Sequence, residues 1–143
     1  MVTAPGTDVL EHYLDAEQAL SEQLAPWKVF RFGEVPGADG TPSEVDVVET
    51  PAMYALIDIQ RDPVTARRLT GGAGRSRWVL SVRGVGGTVA EAEWILTRAT
   101  VALEETRLSV DGRRTTPLQL DDSRSVRPDD GRFSGLRSWT YVL

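Results

Sequence analysis

The sequence contains no cysteine, one histidine and, among its 16 basic residues, a single lysine. Without cysteine, this chain has no disulfide bonds and no thiolate metal sites. With no second histidine either, the usual hydrolase triads lack their parts. His12 lies in a stretch of helical periodicity, where an exposed or core histidine is more common than a catalytic base. These absences predict that the protein is not an enzyme and binds no cofactor.

Long apolar runs are also missing. The N-terminal segment MVTAPGTDVLEHYL lacks the basic and apolar regions of a signal peptide, and no run is long enough to span a bilayer. A net charge of −5 and a pI near 4.9 argue against sequence-independent binding to nucleic acid. We therefore expect a soluble protein with no membrane partner, which works inside a cell or inside a particle assembled there.

The length and composition are those of an ordinary globular chain, with 143 residues, 41% hydrophobic and 26% charged. That length supports one hydrophobic core and is too short for two ordinary ones. The sequence therefore predicts a single domain over residues 1–143.

Apolar residues recur at helical spacing in two segments. Residues 8–24 predict an amphipathic helix. Its apolar face would hold Leu10, Tyr13, Leu14, Leu20 and Leu24. Residues 88–104 predict a second helix, in which Thr88 and Glu91 form a capping box. Its apolar face would hold Val89, Ala92, Ile95, Leu96, Ala99 and Leu103.

The remaining apolar segments indicate strands. These are residues 27–32, 52–60, 77–85 and 136–143, with a hairpin in which 107–110 pairs with 115–120 around Asp111-Gly112. The segment 125–135, SVRPDDGRFSG, is expected to be a loop. The order α-β-β-β-α-β-β-β predicts an α+β fold, in which a mostly antiparallel sheet of five to six strands carries two helices on one face.

Two long connections carry opposite charge. Residues 33–50 contain no base and five acids, which are Glu34, Asp39, Glu44, Asp46 and Glu49. Residues 61–77 carry a formal charge of +4, because Asp62 is their one acid. Their five bases are Arg61, Arg67, Arg68, Arg75 and Arg77. Long connections within a compact domain are usually functional or disordered.

Neither glycine cluster fits a nucleotide-binding motif. Around Gly74 the lysine of a phosphate-binding loop is Arg75, and a strand follows where the motif needs a helix. The cluster GVGGT, residues 84–88, does follow a strand and open a helix, but the third glycine of a dinucleotide fingerprint would be Val89. A tight turn with Thr88 as N-cap explains these glycines better. A small nucleotide-binding enzyme that uses this turn is the less favoured alternative.

Two aspartate pairs, Asp121-Asp122 and Asp129-Asp130, could offer carboxylates to a cation. Adjacent residues on a strand point to opposite faces, and PDDG is ordinary turn chemistry. We therefore predict no metal site, although cation binding at Asp129-Asp130 stays open.

Three segments together suggest a family. An N-terminal helix precedes a strand with Trp27 and Phe30, and RWVLSVRGVGGTVAEAEWILTRATVALEE combines a strand, a glycine turn and an Ala/Leu-rich helix. VRPDDGRFSGLRSWTYVL then places an aspartate-glycine loop before an aromatic strand. Over nearly the whole chain, this pattern resembles the tail terminator family of long-tailed bacteriophages, also called minor tail or tail-completion proteins.

The resemblance implies an α/β sandwich that assembles into a hexameric ring at the head-proximal end of the tail tube. Such a ring stops tube polymerisation and binds the head-completion (stopper) protein, and DNA passes through its lumen. The resemblance also implies a structural virion protein, assembled in the bacterial cytoplasm, that has no reaction and no cofactor. Another ring component of the neck or tail tube is the closest alternative.

A closed ring is built from heterologous contacts, in which one patch of a subunit meets a different patch of its neighbour. The acidic segment 33–50 and the basic segment 61–77 suit that geometry, so their acids and arginines are the predicted protein interface. The guanidinium fork pairs bidentately with carboxylates. Two alternatives stay open: the arginines contact the tail-tube protein, or their charges only keep a solvated loop soluble.

Overall fold

A computed structural model of the chain describes residues 7–32, 52–62 and 76–143. In chain order its elements are α1 (Thr7–Leu24), β1 (Val29–Arg31), β2 (Tyr54–Arg61), β3 (Arg77–Gly86), α2 (Val89–Leu103), β4 (Ser109–Val110), β5 (Arg113–Arg114), β6 (Gln119–Asp129) and β7 (Arg132–Val142). The predicted α+β class, with two helices and a mostly antiparallel sheet, is confirmed for this part of the chain.

The main sheet has five strands in the order β1-β2-β3-β7-β6. β1 and β2 are parallel, with Phe30 opposite Leu56, so a hairpin turn cannot join them. The other neighbours are antiparallel, and β4 pairs with β5 in a separate two-stranded sheet. β6 and the three-residue β1 are therefore the two edges of the main sheet.

The main core lies between the helices and one face of the sheet. From the strands it takes Ala55, Ile57, Ile59, Trp78, Leu80, Val82, Trp139 and Tyr141. Alternate residues of a strand point to opposite faces, so the intervening positions belong to the other face. There Tyr54 and Val85 form a smaller buried cluster, with Phe30 and Leu56 partly buried against it.

The buried face of α1 differs from the prediction. Tyr13, Leu20 and Leu24 are buried as expected, but Leu10 and Leu14 are 50% and 57% exposed. His12 and Ala16 are buried instead. The apolar face was predicted from the large hydrophobic residues alone, so it included neither His12 nor the small Ala16.

The second helix matches the prediction more closely. Thr88 is its N-cap: the Thr88 hydroxyl accepts from Glu91 N at 3.2 Å, and Gly87 N donates to the Glu91 carboxylate at 2.9 Å. The buried positions of α2 are Ala92, Ile95, Leu96, Ala99, Ala102 and Leu103. Val89 is 44% exposed, so its placement on the buried face was wrong. This residue stands in the first turn, at the margin of the contact with the sheet.

The glycines before α2 are needed for packing. Gly84 and Gly86 belong to β3, and Gly84 lies opposite Gly135 of β7. A Cβ on Gly84 would be 2.8 Å from the Ala92 carbonyl oxygen, and one on Gly135 would be 2.8 Å from Leu96 Cδ1. The interpretation of Gly84 and Gly86 as turn residues was therefore wrong, because they permit the helix to lie close to the sheet.

The segment 125–135 is the end of a long hairpin, and its interpretation as a loop was wrong. β6 and β7 are joined by Asp130 and Gly131, whose φ angles are 50° and 81°. Two consecutive residues with positive φ suit the right-handed twist of a hairpin, and Asp-Gly is a strong signal for such a turn. Charged residues and Pro128 concealed the strand, because β6 is an edge strand and edges tolerate both.

The Asp111-Gly112 turn is confirmed, with φ angles of 49° and 77°, but its second strand was misplaced. β5 covers Arg113–Arg114, whereas Gln119 already begins β6. Between β5 and β6 the chain makes isolated backbone hydrogen bonds, such as the one that Thr115 N donates to Leu108 O at 2.9 Å.

We predict that Leu96→Ala lowers the free energy of unfolding by about 2–5 kcal/mol, because it removes a buried side chain from a packed site. Glu93→Ala, on the exposed side of the same helix, should change stability by less than about 0.5 kcal/mol. Urea unfolding followed by circular dichroism measures both. Equal losses would contradict this orientation of α2.

Gly84→Ala should cost about 1–3 kcal/mol, because the added methyl group overpacks the contact between helix and sheet. Gly87→Ala is the matched control, since the nearest atom to its added Cβ is a Glu91 carboxylate oxygen at 3.6 Å. The same unfolding assay compares the two variants. If Gly84→Ala is as stable as Gly87→Ala, the helix does not depend on the glycine surface.

Candidate assembly interface

Of the basic segment, the structure describes only the two ends, Arg61–Asp62 and Ser76–Arg77. They lie where β2 ends and β3 begins. Arg61 is the last residue of β2 and lies opposite Trp78, and Asp62 N donates to Arg77 O at 2.9 Å. The Arg61 guanidinium donates to the Ser76 hydroxyl. The strand pairing therefore fixes both ends of the segment at one end of the sheet. Arg67, Arg68 and Arg75 lie outside the described residues.

Arg77 already has carboxylate partners within the chain. Its guanidinium lies 3.8 Å from the Asp62 carboxylate and 3.6 Å from that of Asp121, which belongs to β6. The Arg77 side chain is 43% exposed, so solvent weakens both ion pairs. Arg77 thus links the basic segment to the sheet edge, a role that sequence spacing did not indicate.

The acidic half of the predicted interface is not described. Glu34, Asp39, Glu44, Asp46 and Glu49 all fall within residues 33–51, outside the described ranges. The pairing of this segment with residues 61–77 of a neighbouring subunit therefore stays a prediction.

The aspartate pairs contact groups of their own chain. Asp129 accepts a hydrogen bond from the Ser134 hydroxyl at 2.9 Å and lies 3.6 Å from the Arg83 guanidinium. Asp130 occupies the hairpin turn. Asp122 accepts from Ser123 N at 2.9 Å and lies 3.6 Å from the Arg124 guanidinium. Over the described ranges, no three histidine or acidic side chains lie close enough together to hold a metal ion.

The space beside the glycines of the GVGGT segment is occupied by α2. A Cβ on Gly86 would be 2.6 Å from Glu91 Cβ and 2.9 Å from Ala92 N, so the helix occupies the space above this glycine. Gly87 N, which a phosphate would need as a donor, already bonds to the Glu91 carboxylate. This packing disfavours a nucleotide at the turn.

His12 is a core residue. It is 2% exposed, its ring centroid lies 4.1 Å from that of Trp78, and its Nδ1 shares a 2.6 Å hydrogen bond with the Tyr141 hydroxyl. Nearby, the Tyr13 hydroxyl accepts from Ile59 N at 2.9 Å. Burial raises the pKa of the Tyr141 and Tyr13 hydroxyls above their ordinary value. These contacts join α1 to the sheet and offer no accessible base.

A second group of arginines was missed by the sequence analysis. Arg107, Arg113 and Arg114 line a cleft of about 400 Å³ beside the β4–β5 hairpin, together with Thr115, Thr116 and Val142. We name this the arginine cleft. The one feature of the sequence that could have indicated this cleft was the Arg113-Arg114 pair after the Asp111-Gly112 turn. Arg107 joins these two arginines only once the β4–β5 hairpin has folded.

No protein-family model and no curated protein matches this sequence. Neither of the helices in the described ranges is long and apolar enough to cross a membrane.

We predict that Tyr141→Phe lowers the free energy of unfolding at pH 7 by about 0.5–1.5 kcal/mol, because the bond to His12 is lost. Tyr54→Phe is the control, since the Tyr54 hydroxyl has no hydrogen-bond partner in the described part of the chain.

The same variant should change the response to alkali. A raised folded pKa means that neutral Tyr141 contributes stability below the unfolded pKa of about 10, and this contribution is lost as the pH rises toward the folded value. The decline in stability above pH 10 should therefore be shallower in Tyr141→Phe. Urea unfolding at a series of pH values checks this, and an unchanged decline would contradict a buried neutral hydroxyl.

Proposed function

We propose that this protein is a structural virion component that forms a ring at the head-proximal end of a phage tail tube. There it ends tube polymerisation and joins the tail to the head-completion protein. The ring is a homo-oligomer, a hexamer by the family resemblance, with DNA only as cargo in its lumen. The proposal includes no reaction and no cofactor.

The observation that carries the proposal is the arrangement of elements along the chain. A first helix, a three-strand set, a second helix and a final hairpin place both helices on one face of a mostly antiparallel sheet. This arrangement agrees with the fold that the tail terminator resemblance implies. Fold alone does not determine function, so the surface must supply the rest of the argument.

The edge strand β6 supports controlled assembly. It is 11 residues long, and all its side chains except Val126 are exposed. Such an edge could pair with any strand, but β6 carries Pro128, charged side chains of both signs and two register shifts against β7. These features are the ones by which proteins prevent indiscriminate edge pairing. Ordered assembly through charged side chains is compatible with an edge protected in this way.

The basic segment is well placed for such contacts. Its described ends, Arg61–Asp62 and Ser76–Arg77, lie at one end of the β2–β3 ladder, so the segment begins and ends on a rigid sheet. A rigid base positions a docking surface, and complementary charge steers encounter and selects partners. Contacts at a wet rim should weaken with salt, because exposed charges are screened over roughly 8–10 Å at physiological ionic strength.

Another neck or tail-tube ring component would also use such surfaces, and it remains the alternative closest to this proposal. A nucleotide-binding enzyme is disfavoured, because α2 packs directly on Gly84 and Gly86. A saturable rise in melting temperature with added nucleotide would favour the enzyme over the ring protein.

We predict that the purified protein forms rings of uniform diameter in negative-stain images and caps tail tubes polymerised in vitro. Replacing Arg67, Arg68 and Arg75 with serine should leave the subunit folded and weaken ring formation or tube capping, so that tubes grow overlong. Arg77 is retained, because it already contacts Asp62 and Asp121 within its own chain.

The control replaces Arg83 and Arg98 with serine, which removes positive charge from exposed positions outside β6 and outside the basic segment. It should assemble normally. Absence of rings at any salt concentration would overturn the proposed function. Normal assembly of the first variant would instead mean that the basic segment takes no part in assembly and is only a solvated loop.

A further inference from the structure

The arginine cleft gathers guanidinium groups that make no contact of their own within the described residues. Most described arginines contact a carboxylate, a carbonyl, a hydroxyl or an aromatic ring. Those without such a contact in the described ranges are Arg107, Arg113, Arg114 and Arg127. Three of these four arginines line the arginine cleft. Like charges repel, so an anion that binds between the three lowers their electrostatic energy.

The hydroxyl groups of the cleft are already bonded within the chain. The Thr115 hydroxyl accepts from Leu108 N at 2.9 Å and donates to Thr116 O at 2.8 Å. The Thr116 hydroxyl accepts from Val142 N at 2.8 Å. Recognition in the cleft therefore depends on the three guanidinium groups, and the half-buried Val142 and Leu143 add apolar surface beside them.

One stretch of the chain matches this combination of charge and apolar surface. Residues 44–49, EVDVVE, carry three acids, three valines and no base. No other six residues in a row contain three acids anywhere in the sequence, so the acids of the described ranges are spaced more widely. A guanidinium fork pairs bidentately with one carboxylate, so three arginines match three carboxylates in number. Charge complementarity therefore selects residues 44–49 among the acidic parts of the chain.

The position of this stretch favours a second copy over the same chain. It precedes Ala52, whose carbonyl oxygen accepts from the Arg132 guanidinium at 3.3 Å at the start of β7. The cleft is lined by Val142 at the other end of this 11-residue strand, which is roughly 33 Å away from Arg132. The chain from Ala52 back to Asp46 spans at most roughly 20 Å. Asp46 and Glu49 therefore fall short of the cleft of their own chain, whereas a neighbouring copy is not tethered in this way.

The surface next to the cleft limits where an acidic segment can bind. A smaller cleft of about 210 Å³ shares Arg113 with the arginine cleft and is also lined by Glu11 and Asp111. These two carboxylates repel an acidic segment. Arg107 and Arg114 line the arginine cleft and not the smaller one, so the segment is expected on their side of Arg113.

We propose that the arginine cleft binds residues 44–49 of a second copy of this chain. Glu44, Asp46 and Glu49 pair with its three guanidinium groups. The contact is heterologous, because the cleft of one subunit meets a different segment of its neighbour, and contacts of this kind build rings. The inference deepens the proposed function and rests on it in one respect, that copies of the chain assemble. It assigns this part of the acidic segment to the cleft rather than to residues 61–77.

Three variants of the full chain test the proposal. The acid variant carries Glu44→Gln, Asp46→Asn and Glu49→Gln. The cleft variant carries Arg107→Gln, Arg113→Gln and Arg114→Gln. The control variant removes three positive charges from exposed positions outside both clefts, with Lys28→Gln, Arg83→Gln and Arg98→Gln. The replaced arginines and the lysine are all exposed, so the cleft and control variants should unfold in urea as the unaltered protein does.

The first measurement is the binding of a fluorescein-labelled peptide of residues 41–51, followed by anisotropy. The binding protein carries the acid substitutions, so that no segment of its own competes with the peptide. Adding the cleft substitutions should weaken binding at least about tenfold, because three exposed ion pairs are lost together. Adding the control substitutions instead should change binding by less than about twofold.

The second measurement distinguishes a second copy from the same chain. In sedimentation velocity, the acid variant and the cleft variant should each self-associate at least about tenfold more weakly than the unaltered protein, for the same loss of ion pairs. An equimolar mixture of the two should form heterodimers, because the intact cleft of one variant meets the intact acidic segment of the other. A contact within one chain cannot be restored by mixing.

Three results would overturn the proposal. The first is absent peptide binding, or equal weakening by the cleft and control substitutions. The second is peptide binding without association in the mixture, because the segment would then reach the cleft of its own chain. The third is an oligothymidylate of the same formal charge that binds more tightly than the peptide and is lost in the cleft variant, because the cleft would then be a phosphate site.

The outcome is separable from that of the proposed function. Rings that form normally from the cleft variant would overturn this inference and leave the proposed function intact. Peptide binding at the cleft and association in the mixture, without rings at any salt concentration, would support the inference and overturn the proposed function.

Discussion

The close contact between α2 and two glycines of the sheet is the constraint on which the rest of the fold depends. Leu96 packs where Gly84 of β3 lies beside Gly135 of β7, and side chains at those positions would collide with the helix. Polar bonds fix the same contact, because Arg137 of β7 donates to the Thr100 hydroxyl at 2.6 Å and Trp139 donates to Glu104 at 3.1 Å. This contact joins strands that are far apart in sequence and thereby sets the centre of the sheet.

One consequence is that both ends of the basic segment lie at the same end of the sheet as the arginine cleft. β2 ends at Arg61, β3 begins at Arg77, and Arg77 lies opposite Val142 at the end of β7. Val142 in turn lines the arginine cleft, and Arg61 and Arg113 line the smaller cleft beside it. The basic segment and the arginine cleft are therefore adjacent. At the opposite end of β3 and β7 lie the glycine connection to α2 and the Asp130-Gly131 turn. Beside that turn, the Asp129 carboxylate is paired with the Arg83 guanidinium.

Much of the fold could be predicted from local patterns, and the errors have a common cause. The Thr88–Glu91 capping box and the Asp111-Gly112 turn depend on residues a few positions apart, so both could be predicted correctly from the sequence. Leu10 was wrongly assigned to the buried face, and the sequence left open whether His12 is exposed or buried, because a distant partner, Tyr141, decides the burial of His12. Likewise, β6 escaped detection because an edge strand that is exposed almost throughout carries no apolar alternation. Of the candidate interface, the sequence identified the charges but not the contacts of Arg77 or the arginine cleft.

The sequence by itself determined the class of the fold, the positions of most helices and strands, and the opposite charges of segments 33–50 and 61–77. These properties follow from periodicity, capping and composition, which are local. Only the tertiary structure decided the strand order β1-β2-β3-β7-β6, the role of Gly84 and Gly86 beneath α2, and the convergence of Arg107 with Arg113 and Arg114. These features depend on which surfaces can pack together without steric collision. The residues that form those surfaces are far apart in the sequence, so no local sequence pattern reveals their contact.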